Sequence, residues 1–114
     1  MPEDLFAGIP VTDYAAALDW YQQLFGSPPS LLPTKGEAVW QLAEHGFVFI
    51  ELRPKHAGHV RHLLFVDDLD GLVAHIAERG LAPAERETLS NGVRKVAYRD
   101  PDGNKFEFGG APLS

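Results

Sequence analysis

Two carboxylates stand in otherwise apolar segments of this sequence, Glu51 in FVFIEL and Glu107 in KFEF. Burial in apolar surroundings and mutual repulsion make a carboxyl group a better proton acceptor near neutral pH. Two such groups in one apolar site would suit proton abstraction beside a carbonyl, with Arg61 as the evident group to stabilise the enolate. An interpretation of equal weight pairs the two carboxylates with Arg61 and Lys105 in salt bridges that hold the structure closed.

A second candidate for chemistry is a run of histidines, His56, His59 and His62, spaced three residues apart. On a helix this spacing would place all three imidazoles on one face. The surrounding PKHAGHVRH is typical of a connector followed by the start of a strand. We therefore predict a solvated loop, with adventitious metal binding as the alternative.

Composition narrows the function classes. The chain has 114 residues, 16 acidic and 10 basic side chains, a net charge of −6 and no cysteine. Disulfides, zinc fingers, iron–sulfur clusters and thiolate catalysis are thereby excluded. The acidic balance argues against nucleic acid, whose phosphates favour clustered lysine and arginine. Because no apolar run approaches the ~20 residues of a membrane helix and MPEDLF does not resemble a signal peptide, we expect a cytoplasmic domain.

The elements that must position these side chains occur twice. A strand-like apolar run covers 5–11 and another covers 61–66. Each is followed by an aspartate, a helical pattern and a glycine, which are typical of a helix start and stop. Val11 and Val66, at equivalent places in the two runs, are 55 residues apart, close to half the chain. The predicted caps are Asp13, Gly26, Asp68 and Gly80.

Strand patterns follow each helical pattern, at 38–42 and 47–52 in the first half and at 93–99 and 105–108 in the second. Shorter extended pieces are expected near 31–32 and 84–88. Each half is therefore predicted to be a βαβββ module. We expect a single α+β domain built from a module at 5–53, a linker at 54–60 and a module at 61–110.

Four segments, IPVTDYAAALDWYQQLFG, FVFIEL, LLFVDDLDGLVAHIAERG and YRDPDGNKFEF, carry a family likeness through their order and spacing. The chain resembles the vicinal oxygen chelate superfamily, which includes glyoxalase I, bleomycin-binding resistance proteins, fosfomycin-inactivating enzymes and extradiol dioxygenases. The resemblance implies two βαβββ modules whose sheets curl into a cup, with the helices outside. It also implies a homodimer, because drug-sequestering relatives typically bind their ligands in grooves between subunits.

Metal-dependent members of the superfamily place four ligands in that cup, and the matching positions here are Phe6, Glu51, Arg61 and Glu107. Two carboxylates without an imidazole suit zinc, nickel or iron poorly. No cofactor is therefore expected. The alternative is a divalent metal held by Glu51, His62 and Glu107, which requires a one-residue slip of the strand to turn His62 inward.

Within the implied cup, alternation along a strand turns Phe47, Phe49 and Glu51 inward if Val48 and Ile50 face the helices. In the same way Lys105 and Glu107 point into the cup while Phe106 and Phe108 join the core. For Leu63 and Phe65 an ordinary core position is an equally weighted interpretation. The predicted ligand-binding residues are Phe6, Trp40, Phe47, Phe49, Arg61, Leu63 and Phe65.

The leading functional hypothesis is a metal-independent protein that binds a small, cationic or aromatic molecule in this cup. Relatives of that kind confer antibiotic resistance by sequestering drugs. Three alternatives stay open. A glyoxalase-type lyase or isomerase would use Glu51 and Glu107 as catalytic residues. A ring-cleaving dioxygenase is less compatible with the residues, and a purely structural module would fill the cup with its own side chains.

Overall fold

The computed structural model describes residues 3–113, and in each half it contains a strand, a helix and three further strands, as predicted. The first half consists of β1 (Leu5–Val11), α1 (Tyr14–Phe25), β2 (Leu31–Thr34), β3 (Glu37–Ala43) and β4 (Gly46–Leu52). The second half consists of β5 (Arg61–Phe65), α2 (Leu69–Glu78), β6 (Glu85–Thr88), β7 (Arg94–Arg99) and β8 (Lys105–Gly110). A short 3₁₀ helix, Pro54–His56, lies in the connector.

The two halves have the same sheet topology. The strand order is β1-β4-β3-β2 in the first sheet and β5-β8-β7-β6 in the second. The first and last strands of each half pair in parallel, and the other neighbours pair antiparallel. Each sheet keeps two edge strands, so neither closes into a barrel. The predicted α+β class is confirmed.

The caps expected from the sequence hold both helices at their starts. The Asp13 carboxylate accepts the amide N–H of Ala16 at 3.1 Å, and Asp68 caps α2 in the same way. Gly26 ends α1 in the left-handed conformation, with φ of 76°. Gly80 is also left-handed, with φ of 97°, one residue beyond the Arg79 cap of α2. A residue with a Cβ would be strained at either glycine.

One hydrophobic core joins the two halves. Helix α1 packs on the first sheet through Tyr21 and Phe25, whose rings lie 6.2 and 5.5 Å from that of Trp40. Phe25 also contacts Phe106 of the second sheet in an edge-to-face arrangement, with ring centroids 5.2 Å apart. The core therefore lies between the helices and one face of each sheet, which we call the core face.

A buried polar cluster fastens the halves together at Asn104. This residue is 1% exposed, and its side chain makes four hydrogen bonds. Its amide nitrogen donates to the carbonyl of Pro10, at 2.8 Å, and to the Asp100 carboxylate, at 2.9 Å. Its oxygen accepts the amide N–H groups of Gly58 and Val60. Strand β1, the connector and the β7–β8 turn thus meet at one residue.

Asp100 extends this cluster to the first helix. Its carboxylate accepts the Tyr21 hydroxyl at 2.8 Å as well as two amide N–H groups of its own turn, from Asp102 and Asn104. Burial, with a further contribution from the negative charge of Asp100, raises the pKa of Tyr21 far above its usual range. Tyr21 is therefore a neutral donor. Asp100 thus links the β7–β8 turn to the first helix.

Candidate functional site

Three aromatic rings line the outward side of the first sheet. Phe6 and Phe47 are register partners on β1 and β4, and their rings stack at 4.6 Å with an interplanar angle of 10°. Phe49 follows on the same side, whereas Val48 and Ile50 between them are buried in the core. Glu51 continues the series. We call Phe6, Phe47, Phe49 and Glu51 the aromatic face, which has the orientation that strand alternation predicts.

Glycine allows these rings to lie flat on the sheet. A Cβ added at Gly8 would come within 2.8 Å of the Phe49 ring, so this ring crosses the neighbouring strand where no side chain intervenes. Phe65 lies over Gly109 in the same way on the second sheet, where an added Cβ would meet the ring at 3.1 Å. Each glycine thus creates the space for an aromatic ring on the outward side of its sheet.

Glu51 has a neighbour that the sequence patterns did not reveal. Its register partner on β3 is Glu37, which therefore lies on the same side of the sheet. The Arg53 guanidinium donates to Glu51 at 3.1 Å, and the Thr34 hydroxyl donates to Glu37 at 3.0 Å. Counting outward across the two-residue turn would place Ala38 opposite Glu51, and a register shift between Gln41 and Ala43 brings Glu37 there instead, so alternation alone did not identify it.

On the second sheet, the corresponding side carries an ion pair at its centre. The Glu107 carboxylate is 4% exposed and accepts two bonds from Arg61, from Nε at 2.8 Å and from Nη2 at 3.2 Å. This hydrogen-bonded contact raises the pKa of Arg61 above its usual value. Leu63 and Phe65 flank the pair and are 53% and 57% exposed. We call Arg61, Leu63, Phe65 and Glu107 the ionic face.

A second ionic group borders this face. The Glu85 carboxylate accepts Lys105 Nζ and Arg99 Nη2, each at 2.9 Å. These two hydrogen bonds hold the pKa of Glu85 below its usual range. The salt-bridge alternative thus applies to Glu107 through Arg61, but Lys105 pairs with Glu85, and Glu51 pairs with Arg53.

The predicted place of Trp40 in the cup is wrong. Trp40 is 1% exposed, and its register partner is Val48 on the core face. Its indole N–H donates to the carbonyl of Ser27 at 2.9 Å. Gln41, opposite Phe47, takes the outward position instead. Since Val39 is also buried, the sequence alternation in this strand did not distinguish its two sides.

The residues present do not fit the divalent metal of the superfamily. Two of its four ligand positions hold Phe6 and Arg61, and neither side chain binds a divalent cation. His62 lies on the core face, where its Nε2 is 2.9 Å from the carbonyl oxygen of Gly8, so no strand slip turns it toward Glu107. Within residues 3–113 no group of three or more His, Asp or Glu side chains could hold an ion.

The other two histidines of the run, His56 and His59, lie on neither of these faces. His56 ends the 3₁₀ helix and His59 follows in the connector, and both are exposed. This placement agrees with the predicted solvated loop for these two residues, whereas His62 belongs to β5.

Neither face covers the other within one chain. Phe6 on the aromatic face is 51% exposed, and Leu63 and Phe65 on the ionic face are exposed to a similar extent. Large apolar side chains that lie exposed together on a surface usually mark an interaction site. A single chain therefore presents two partly exposed sheet faces.

Two βαβββ modules with matched topology define the glyoxalase/bleomycin-resistance class of α+β proteins. The chain belongs to the Glyoxalase/Bleomycin resistance protein/Dioxygenase superfamily, whose family model matches residues 5–108. A crystal structure of a glyoxalase/bleomycin resistance protein from Catenulispora acidiphila is 49% identical, with a TM-score of 0.93, over 96% of this chain and 99% of that one.

More distant structures share the fold alone. A bleomycin-binding protein complexed with bleomycin has a TM-score of 0.77 at 18% identity, over 96% of this chain and 98% of that one. Lactoylglutathione lyase from Agrobacterium tumefaciens has a TM-score of 0.73 at 18% identity, over 94% and 92% of the two chains. None of the curated proteins compared with the sequence matches it significantly. Within residues 3–113, no helix combines the length and apolar character needed to cross a membrane.

Proposed function

We propose that this protein binds a small, flat, cationic molecule between an aromatic face and an ionic face, without a metal. The observation that carries the proposal is the Phe6–Phe47 stack, in which Phe6 is half-exposed and Phe47 partly buried, with Phe49 and Glu51 on the same side of the sheet. Aromatic faces attract cations through their ring quadrupoles, and the Glu51 carboxylate, 20% exposed, supplies the opposite charge. A planar cation could lie on these rings and pair with Glu51.

The second wall of the site comes from a second copy of the chain in this proposal. The exposed Leu63 and Phe65 would pack toward the aromatic face of the partner, and the homodimer would hold two equivalent cups related by a twofold axis. The support is the exposure of both faces in one chain. Covering the half-exposed side chains of Phe6, Leu63 and Phe65 would lower the free energy of the protein.

The arrangement favours binding over lyase, isomerase or dioxygenase chemistry. Both oxygens of Glu107 accept bonds from Arg61, so this carboxylate is already held and is not free to take a proton from a substrate. Glu51 is likewise paired with Arg53 within its own module. Binding requires neither carboxylate to change its protonation.

Titration calorimetry with proflavine, a planar aromatic cation, tests the proposed ligand class, and bleomycin serves as a second probe. We expect saturable binding to the wild type. Phe47→Ala and Glu51→Gln should each weaken it about tenfold, which corresponds to the loss of ~1.4 kcal/mol from a cation–π or ionic contact. Glu44→Gln is the matched control because Glu44 is 90% exposed, away from the rings.

Two results would overturn this proposal. One is the absence of saturable binding by either probe. The other is equal affinity in the wild type and in both cup variants.

Sedimentation equilibrium tests the proposed homodimer. The wild type should sediment with twice the mass of the chain, and Phe65→Glu should shift it toward the monomer by burying a charge in the contact. Lys55→Glu, at an exposed position in the connector, is the control. A wild type that is monomeric at all concentrations would rule out the dimeric cup.

A further inference from the structure

A cavity of about 200 Å³ lies on the side of the second sheet that is opposite the ionic face. It lies between the first turns of α2 and strands β6 and β7, of which β6 is an edge of the sheet. Its apolar lining comes from Leu69, Val73 and Val96. Arg86 and Arg94 stand at its polar end, and neither takes part in the cup described above.

The two arginines share one side of the sheet. In the β6–β7 register Arg86 is opposite Val96 and Thr88 is opposite Arg94, so the arginines are diagonal neighbours. Diagonal pairs in an antiparallel sheet have Cα atoms about 7–8 Å apart. Two guanidinium groups at this spacing repel each other unless a negative charge lies between or beside them.

Two carboxylates, Asp70 and Glu87, line the cavity, and they leave the arginine pair undercompensated because Glu87 pairs with Lys95 at 3.7 Å. Arg94 Nη1 donates to Asp70 at 2.9 Å, but the Asp70 side chain is 72% exposed, where an ion pair contributes little. The Nε of Arg94 is buried without a hydrogen-bond partner among residues 3–113. Over the same residues, Arg86 has no ion-pair partner. The described residues therefore satisfy the charge and the donors of the two guanidinium groups only in part, and a bound anion would accept hydrogen bonds from the donors that face the cavity.

We propose that this cavity binds a small organic carboxylate with a compact apolar body, of the size of benzoate. The carboxylate would lie between the guanidinium groups of Arg86 and Arg94, which suit its planar, two-oxygen geometry. The apolar body would cover Leu69, Val73 and Val96. A cavity of about 150 Å³ holds a benzene ring, so the volume is sufficient. An inorganic anion would leave this apolar lining uncovered.

Calorimetry with benzoate on the full-length protein tests the site, with benzamide as the neutral isostere. Benzamide should bind at least tenfold more weakly than benzoate. Arg94→Gln and Arg86→Gln should each weaken benzoate at least fivefold. Arg99→Gln is the matched control, since Arg99 lies on the same strand but points to the other side of the sheet.

A second variant separates ligand recognition from any loss of structure. Asp70→Asn removes the carboxylate that competes for Arg94, so benzoate should bind about threefold more tightly to this variant. Unchanged or weaker binding would overturn the proposed role of Arg94. If Arg99→Gln weakened benzoate binding as much as the other two arginine variants, general charge attraction would account for the effect. That result would also overturn the site.

Amide NMR spectra locate the bound molecule. Benzoate should shift the signals of residues 69–73, 86–88 and 94–96 and leave those of 47–51 in place. Shifts centred on 47–51 would assign benzoate to the cup and refute the second site. Inorganic phosphate that displaces benzoate at comparable concentration would refute the assignment to organic carboxylates.

Discussion

Replacement of Asn104 by alanine is the sharpest test of how the two halves are joined. The substitution removes four hydrogen bonds at a residue that is 1% exposed. It leaves the amide N–H groups of Gly58 and Val60 and the carbonyl of Pro10 without their partner. The fourth partner, Asp100, keeps the Tyr21 hydroxyl and is the least affected.

The magnitude follows from those three orphaned backbone groups. Each hydrogen bond contributes about 1 kcal/mol net, and a buried group left unpaired costs about as much or more. Asn104→Ala should therefore lower the free energy of unfolding by about 3–4 kcal/mol. A domain of this size has a total stability of about 6–17 kcal/mol, so the variant folds but loses a large share.

Urea denaturation with two probes measures both the loss and the coupling. Both tryptophans, Trp20 and Trp40, lie in the first half, whereas far-UV circular dichroism reports on both halves. In the wild type the two transitions should coincide, as expected for a cooperative domain. In Asn104→Ala they should separate, because the buried hydrogen bonds that tie the β7–β8 turn to β1 and to the connector are lost.

The control is Asn91→Ala, an exposed asparagine whose side chain serves only the local N–H of Val93. It should cost less than about 1 kcal/mol and keep the transitions coincident. A loss below 1 kcal/mol for Asn104→Ala, or coincident transitions despite a large loss, would refute the reasoning.

Three further predictions concern the core and a helix end. Tyr98→Phe removes a buried hydroxyl that has no partner among residues 3–113, so it should leave stability unchanged or raise it by about 1 kcal/mol; a loss above 1 kcal/mol in urea would contradict this. Burial raises the pKa of Tyr98, and of Tyr21, above the usual 10.0. The folded protein therefore keeps these phenols protonated while the unfolded chain ionises them, so the free energy of unfolding should hold below pH 10 and fall above it. Between pH 8 and 11 the urea midpoint should fall less steeply with pH in Tyr98→Phe than in the wild type. Equal slopes would count against a raised pKa of Tyr98. Gly26→Ala should cost about 1–2 kcal/mol because φ is +76° and the new Cβ would meet the Arg79 guanidinium at 2.8 Å. Gly36→Ala, whose Cβ would be in ordinary contact at 3.4 Å, is the control. Equal melting temperatures of the two variants would disprove the argument.

Local patterns in the sequence were sufficient for the elements and for most of their orientation. Asp13 and Asp68 start the helices as N-caps because a short carboxylate reaches the amides of its own first turn. Along β4, aromatic and aliphatic side chains alternate strictly, so Val48 and Ile50 enter the core while Phe47 and Phe49 turn outward. Alternation along β5 and β8 likewise indicates that Arg61 and Glu107 point to the same side of the second sheet.

Tertiary structure decided what depends on contacts between distant segments. Trp40 lies in a strand with apolar side chains on both sides, and only its register with Val48 placed it in the core. Asp100 and Asn104 lie at the β7–β8 turn, but their partners Tyr21 and Pro10 are 79 and 94 residues away. Short-range patterns identify caps, turns and faces because those depend on neighbours in sequence. The link between the halves depends instead on how the two modules pack, and the arginine-lined cavity depends on how α2 packs on β6 and β7.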